Sequence, residues 1–175
     1  MYTSVLEGLF IRGLHQRGRL SPELIARLKG EGLDVTAPLL PAYPVVVWAR
    51  CIEVTASALF PEVDKGEAIR RVGEISLDGY AETLLGKALF GLLKVLGTRR
   101  SMLRMARNMS GGSNYLDTTV VELGPTDFRT VVNDVAGIPS FYQGVFRRAA
   151  ELVGTQVQVD MEPSTAPACS YRVHW

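Results

Sequence analysis

Apolar residues recur every three or four positions through the first 115 residues and every second position through most of the last 60, the periods of helix and strand. Ser21-Pro22-Glu23 opens a helix, because serine caps free N–H groups and proline fits the first turn. Leu24, Ile25 and Leu28 form its apolar stripe, and Gly30-Glu31-Gly32 ends it. Residues 5–14 fit helix or strand, with Gly8 and Gly13 weakening both. Beyond the proline-punctuated stretch 38–44, Val45, Trp48, Ala49, Ile52, Ala56, Leu59 and Phe60 keep helical spacing up to Pro61. The proline-free stretch 64–96 predicts helix broken or bent at Asp78-Gly79. In its second part Ala81, Leu84, Leu85, Ala88, Leu89, Leu92, Leu93 and Leu96 follow the i, i+3, i+4, i+7 rule, and Phe90 and Val95 make it apolar nearly all round. Such a pattern predicts the central helix of the fold. After Gly97, a helix over 99–109 places Met102, Met105, Ala106 and Met109 on one face and Arg100, Arg104 and Arg107 on the neighbouring one.

Past the turn-rich Ser110-Gly111-Gly112-Ser113-Asn114 the period changes. Segments 116–123 and 128–135 flank Gly124-Pro125-Thr126-Asp127 as a β-hairpin. Residues 139–153 form an amphipathic helix with Tyr142, Val145, Phe146, Ala149, Leu152 and Val153 inward, stopped by Gly154. Segments 155–161 and 168–175 alternate as strands. Val157, Val159 and Met161 share one face, and Cys169, Tyr171, Val173 and Trp175 point inward, which buries the tryptophan. The expected fold is α+β: a helical N-terminal half, 1–115, packed on a four-stranded antiparallel sheet of ββ-α-ββ order in 116–175, forming a single domain over 1–175.

Composition narrows the function classes. With 175 residues, 47% hydrophobic and 21% charged, the chain has the make-up of an ordinary globular domain and buries roughly 70% of its unfolded surface without staples. Its 19 basic and 18 acidic residues leave a net charge of +1. That balance gives no global field for nucleic acid or anionic lipid, so any such binding must come from a local patch. Cys51 and Cys169 lie far apart among apolar neighbours and read as buried thiols rather than a disulfide framework. The N-terminus lacks the basic and apolar regions of a secretory signal. The most apolar stretch, 88–96, contains Lys94 and falls well short of the roughly 20 residues of a membrane span. A cytoplasmic protein without a transmembrane segment is expected.

No catalytic set emerges, and the chain reads as non-enzymatic. The two histidines and two cysteines have no metal-ligand spacing, and no G-x-S-x-G or local histidine activates a nucleophile. The glycines at 111–112 follow a helix, whereas a phosphate loop follows a strand and opens a helix. Two features keep functional weight. Arg100, Arg104 and Arg107 at i, i+4 and i+7 can receive a carboxylate or phosphate, unless acidic neighbours such as Glu74 or Asp78 neutralise them. The methionine face beside them can fill the core or line an adaptable pocket.

The order of phrases along the chain resembles a paralogous domain family of unknown function abundant in myxobacteria. The matching phrases are Glu7-Gly8-Leu9-Phe10, Leu40-Pro41-Ala42-Tyr43-Pro44, Asp78-Gly79-Tyr80, Thr83-Leu84-Leu85-Gly86, Met105-Ala106-Arg107-Asn108 and Tyr171-Arg172-Val173-His174-Trp175. The layout is also similar to a wider group of 4-vinyl-reductase-type ligand-binding domains, haem nitric-oxide-binding domains and trafficking-complex subunits. That resemblance implies a pocket between helices and sheet for a small apolar molecule, or a surface for a partner. The haem-binding domains grip the propionates with Tyr-x-Ser-x-Arg, but the near match here, Tyr2-Thr3-Ser4-Val5-Leu6, has leucine in place of the arginine. His15 and His174 are poor axial ligands, the first beside a basic, glycine-flanked loop and the second facing away from the core, so no cofactor is expected. Two functions remain. One is a non-catalytic ligand-binding or sensory domain for an apolar molecule bearing an acidic group. Its pocket would be lined by Trp48, Cys51, Tyr80, Leu84, Met102, Met105 and Tyr115, with Arg100, Arg104 and Arg107 at the mouth. The other is a protein-interaction scaffold with a filled core, acting as a homodimer or larger assembly. Nucleic acid is not an expected partner of either.

Overall fold

The structure, a computed structural model, describes residues 1–109 and 112–175, with the side chains of 105–108 outside the description. Helix α1 (Thr3–Leu6) runs straight into a π-helical segment, Glu7–Leu14, and a 3-10 turn, His15–Arg17. Then follow α2 (Pro22–Gly30), α3 (Val45–Leu59), α4 (Lys65–Glu82), α5 (Leu84–Leu96) and α6 (Thr98–Met109). Three of these starts are fixed by side-chain caps, as a helix's first free N–H groups require. Ser21 accepts from the Leu24 N–H at 3.2 Å, Asp64 from Glu67 at 3.0 Å and Thr83 from Gly86 at 3.0 Å.

The C-terminal part supplies β1 (Thr118–Gly124), β2 (Asp127–Val132), α7 (Pro139–Leu152), β3 (Gln158–Glu162) and β4 (Cys169–His174). The strands form one antiparallel sheet in the order β1-β2-β4-β3. The α+β class and the ββ-α-ββ order therefore stand as the change of period predicts. The core is aromatic. Trp48 meets Phe10 and Phe141 edge-on at 6.3 and 5.5 Å, and Phe146 of α7 meets Tyr171 of β4 at 5.0 Å, separations at which edge-to-face pairs attract.

Three expectations are corrected. Helix α4 continues through Asp78 and Gly79 without a break. Gly79 is there for proximity: a Cβ on it would stand 1.9 Å from the Gly8 carbonyl oxygen and 2.7 Å from the Gly13 nitrogen. On its opposite side α4 approaches α7 as closely, since a Cβ on Gly73 would lie 2.2 Å from the Phe141 oxygen and one on Gly144 2.0 Å from the Arg70 oxygen. The central helix is thus α4, and α5 lies at the periphery. Only Gly86, Phe90 and Leu93 of α5 are buried, while Leu84, Val95, Leu85 and Leu92 are 88%, 85%, 57% and 51% exposed. The apolar count misjudged the pair because α4 gains its central place through glycine contacts rather than through leucine. Trp175 is half-buried rather than buried: its ring stacks on Phe128 at 5.6 Å, and its backbone N–H donates to the Thr126 oxygen at 3.1 Å.

Two alanine substitutions should separate these roles in urea unfolding. Gly79→Ala forces backbone apart and should cost about 1–3 kcal/mol or more, the range for overpacking. Gly91→Ala, in an α5 position with nothing within 4 Å of the added Cβ, should gain up to about 1 kcal/mol of helix propensity.

Candidate functional site: an apolar cavity among four helices

Residues of α4, α5, α6 and α7, joined by Met1, Val5, Gly112 and Leu116, line a cavity of about 160 Å³. Helix α7 contributes Tyr142, Val145, Phe146 and Ala149, and α4 contributes Ser76, Leu77 and Tyr80. From α5 come Leu89, Phe90 and Leu93, and from α6 Thr98, Ser101, Met102 and Met109. Each helix presents positions three or four apart, as a single face must.

The hydroxyls in this wall are mostly engaged elsewhere. Ser101 Oγ donates to the carbonyl oxygens of Gly97 at 2.8 Å and Leu93 at 3.2 Å. The Thr98 hydroxyl meets that of Thr155 at 2.5 Å, and the Tyr142 hydroxyl meets that of Tyr115 at 3.1 Å. A cavity with satisfied polar groups and apolar walls holds apolar molecules better than water, and one of roughly 150 Å³ accepts benzene. Burial pushes the Tyr142 phenol far above its ordinary range, with the neighbouring Tyr115 adding to the shift, and burial raises Tyr115 and Tyr80 as well. All three are therefore neutral at physiological pH. Cys51, pushed up to about 12 by burial and then by Glu31, stays a thiol and so is no nucleophile.

The cavity gathers some of the expected pocket residues and leaves others elsewhere. Tyr80 and Met102 line it, and Tyr115 touches it through Tyr142. Trp48 and Cys51 are buried on α3, away from its wall. Leu84 faces solvent. Arg100 and Arg104 are exposed on α6 and do not line the cavity, and the side chains of Met105 and Arg107 lie outside the described residues. The α7 wall was legible as an inward face but not as a site. Its signal is Ala149-Ala150 between larger residues, which leaves volume unfilled.

A second concavity, between α4 and α7, is charged. Its arginines are largely paired: Arg148 with Asp78 at 2.6 Å and Glu151 at 2.9 Å, Arg147 with Glu151 at 3.2 Å, and Arg70 with Glu67 at 2.7 Å and with Glu74. Glu74 and Asp78 thus neutralise arginines of α4 and α7 rather than the arginine face of α6. Glu67 is held down to about 2, chiefly by its hydrogen bonds from Arg70. Among the described residues no cluster of three metal-ligating side chains occurs, and no helix is long and apolar enough to cross a membrane.

The chain belongs to a family of proteins of unknown function, DUF2378, which it matches over residues 1–175. No curated protein matches it in sequence. Among solved structures it is similar to an oxygen-binding H-NOX domain related to soluble guanylate cyclases, with TM-score 0.74 and 10% identity over 99% of this chain and 94% of that one. An unliganded Fe(II) H-NOX mutant from K. algicida gives TM-score 0.72 and 9% identity over 99% and 96%. An H-NOX structure probing haem distortion gives 0.64 and 12% over 100% and 95%. The fold is therefore that of H-NOX domains.

Haem, which that fold brings to mind, does not suit these residues. The described cavity wall contains no histidine, cysteine, lysine or arginine side chain, and the Met1 ammonium at its border is spent on the Tyr43 carbonyl at 2.8 Å, so neither a His or Cys axial ligand nor a side-chain cation for the propionates is at hand. Tyr80 and Tyr142 are held as phenols, against the deprotonated form a metal takes. The volume is also below the roughly 300–1,000 Å³ usual for ligand pockets.

Raised tyrosine and thiol values stabilise the fold below their unfolded values and cease to do so as pH rises. Burial raises Tyr171 as well, so unfolding free energy should hold up to about pH 8.5, with a small rise from the Met1 ammonium that burial lowers, and then fall, first through Cys51 and above pH 10 through Tyr142 and Tyr171, by about 1.4 kcal/mol per pH unit for each group. Tyr142→Phe should remove one group's share of that alkaline slope. Equilibrium unfolding between pH 7 and 11, followed with tyrosinate absorbance, measures both, and a level profile to pH 11 contradicts the burial of these side chains.

Proposed function

We propose that this member of the DUF2378 family is a non-catalytic domain that binds a small, uncharged, apolar molecule in the cavity between α4, α5, α6 and α7. What supports this reading is an apolar, benzene-sized space whose bordering hydroxyls are mostly bonded within the protein. Burial of the ligand's own surface supplies the affinity, at about 25 cal/mol per Å² of apolar area removed from water. One related fold carries an oxygen-binding H-NOX domain. Here the ligand is held without haem, by contact with Leu89, Phe90, Met102, Tyr142 and Phe146. An acidic group finds no cationic side chain among the described cavity residues, and the Met1 ammonium already donates to the Tyr43 carbonyl, so the ligand is neutral. A scaffold acting through a filled core lacks support, because the interior holds this cavity.

Native mass spectrometry of the purified protein reports a retained ligand and the assembly state together. Benzene and toluene serve as defined probes in thermal and urea unfolding. A ligand at one hundred times its Kd should add about 2.7 kcal/mol to unfolding. Ala149→Phe, which fills the cavity, should abolish that gain while the unliganded protein still folds cooperatively. Absence of stabilisation by either probe in the wild-type chain would sink the proposal.

A further inference from the structure

We propose that α5 and α6 form a docking face for an anionic lipid surface. The inference is independent of the cavity and starts from the misplaced apolar residues of α5. At 100° per residue, Leu84, Leu85, Ala88, Gly91, Leu92 and Val95 fall within roughly 120° of arc, and this sector is exposed along the whole helix. Single exposed leucines are ordinary surface; a contiguous strip along one helix marks an interaction site. Lys87 and Lys94 flank one edge of the strip, between it and the buried Phe90, and both are exposed.

Charge identifies what covers it. Between Thr83 and Ser113 the chain carries Lys87, Lys94, Arg99, Arg100, Arg104 and Arg107 and not one acidic residue. The whole chain is only +1, so everything outside this hairpin is net acidic. Arg99 is engaged by Glu122 of β1 at 2.7 Å, whereas Lys87, Lys94, Arg100 and Arg104 stand at exposed positions, with Leu103, also exposed, among the arginines. A leucine strip bordered by cations is the composition of helices that lie in the interface of anionic membranes. The net-acidic remainder would turn this face towards such a surface and the rest of the molecule away from it. A second copy is the weaker occupant, since a two-fold interface brings the same patch of each subunit together and would set these cations against one another.

The test is flotation of the full chain with vesicles of phosphatidylcholine alone and of phosphatidylcholine with phosphatidylglycerol in equal parts, at 0.1 M and 0.5 M salt. Binding is expected to the anionic vesicles and to weaken in high salt. Lys87→Gln with Lys94→Gln should weaken it about thirty-fold, from roughly fivefold per surface cation. Leu84→Ser with Val95→Ser should reduce it further. Both pairs lie at exposed positions, so unfolding midpoints and the response to benzene should be retained, which separates this face from the cavity. Equal partition to neutral and anionic vesicles, or none to either, overturns the proposal. So does a solution dimer, seen by light scattering, that the Leu84→Ser and Val95→Ser pair dissolves, since the face would then belong to a second copy.

Discussion

The architecture depends on α4 being held at backbone distance on two sides at once. Gly79 against Gly8 and Gly13, and Gly73 and Gly144 at the α4–α7 crossing, remove the Cβ atoms that ordinarily keep helices 8–10 Å apart. The cavity is lined by α4 and α7 together with α5 and α6.

Charged residues reinforce this crossing from outside. Arg147 and Arg148 of α7 reach acids of their own helix and of α4, and Arg70 bridges Glu67 and Glu74 along α4. These pairs are partly exposed and individually contribute little. Their value lies in using arginines that would otherwise invite an anion at the α4–α7 seam. The consequence is a division of labour on the surface, with most arginines of this seam paired and four exposed cations, Lys87, Lys94, Arg100 and Arg104, collected on α5 and α6.

Most element types and the ββ-α-ββ chain order were legible because they rest on period, and period survives without knowledge of neighbours. Strand alternation in Cys169, Tyr171 and Val173 gave the inward face of β4 correctly, and the even spacing of α7 gave one wall of the cavity. What period cannot convey is which helix sits in the middle. That depended on glycines whose effect is visible only when the opposing backbone is placed, so Gly79 read as a break and the leucines of α5 as a core. Trp48 and Cys51 illustrate a related limit: they are buried as their neighbours imply, but burial does not say which buried residues border a void. Tyr80 and Met102 do border the cavity, Met102 as part of the methionine face that helical spacing brings together.

The π-helical winding of Glu7–Leu14 has an implication for how this chain tolerates changes of length. Its hydrogen bonds span five residues rather than four, and Gly8 and Gly13, five apart, meet Gly79 together. Wound as an ordinary α-helix the two glycines would point in different directions, and only one could admit α4. The segment therefore behaves as an α-helix carrying one residue in excess. A chain shorter by one between these glycines could close into regular winding and keep both on the α4 side, whereas the same loss from α4 would rotate Gly73 and Gly79 out of register with their partners. Length variation can be absorbed at the edge of this helix sandwich and not at its centre.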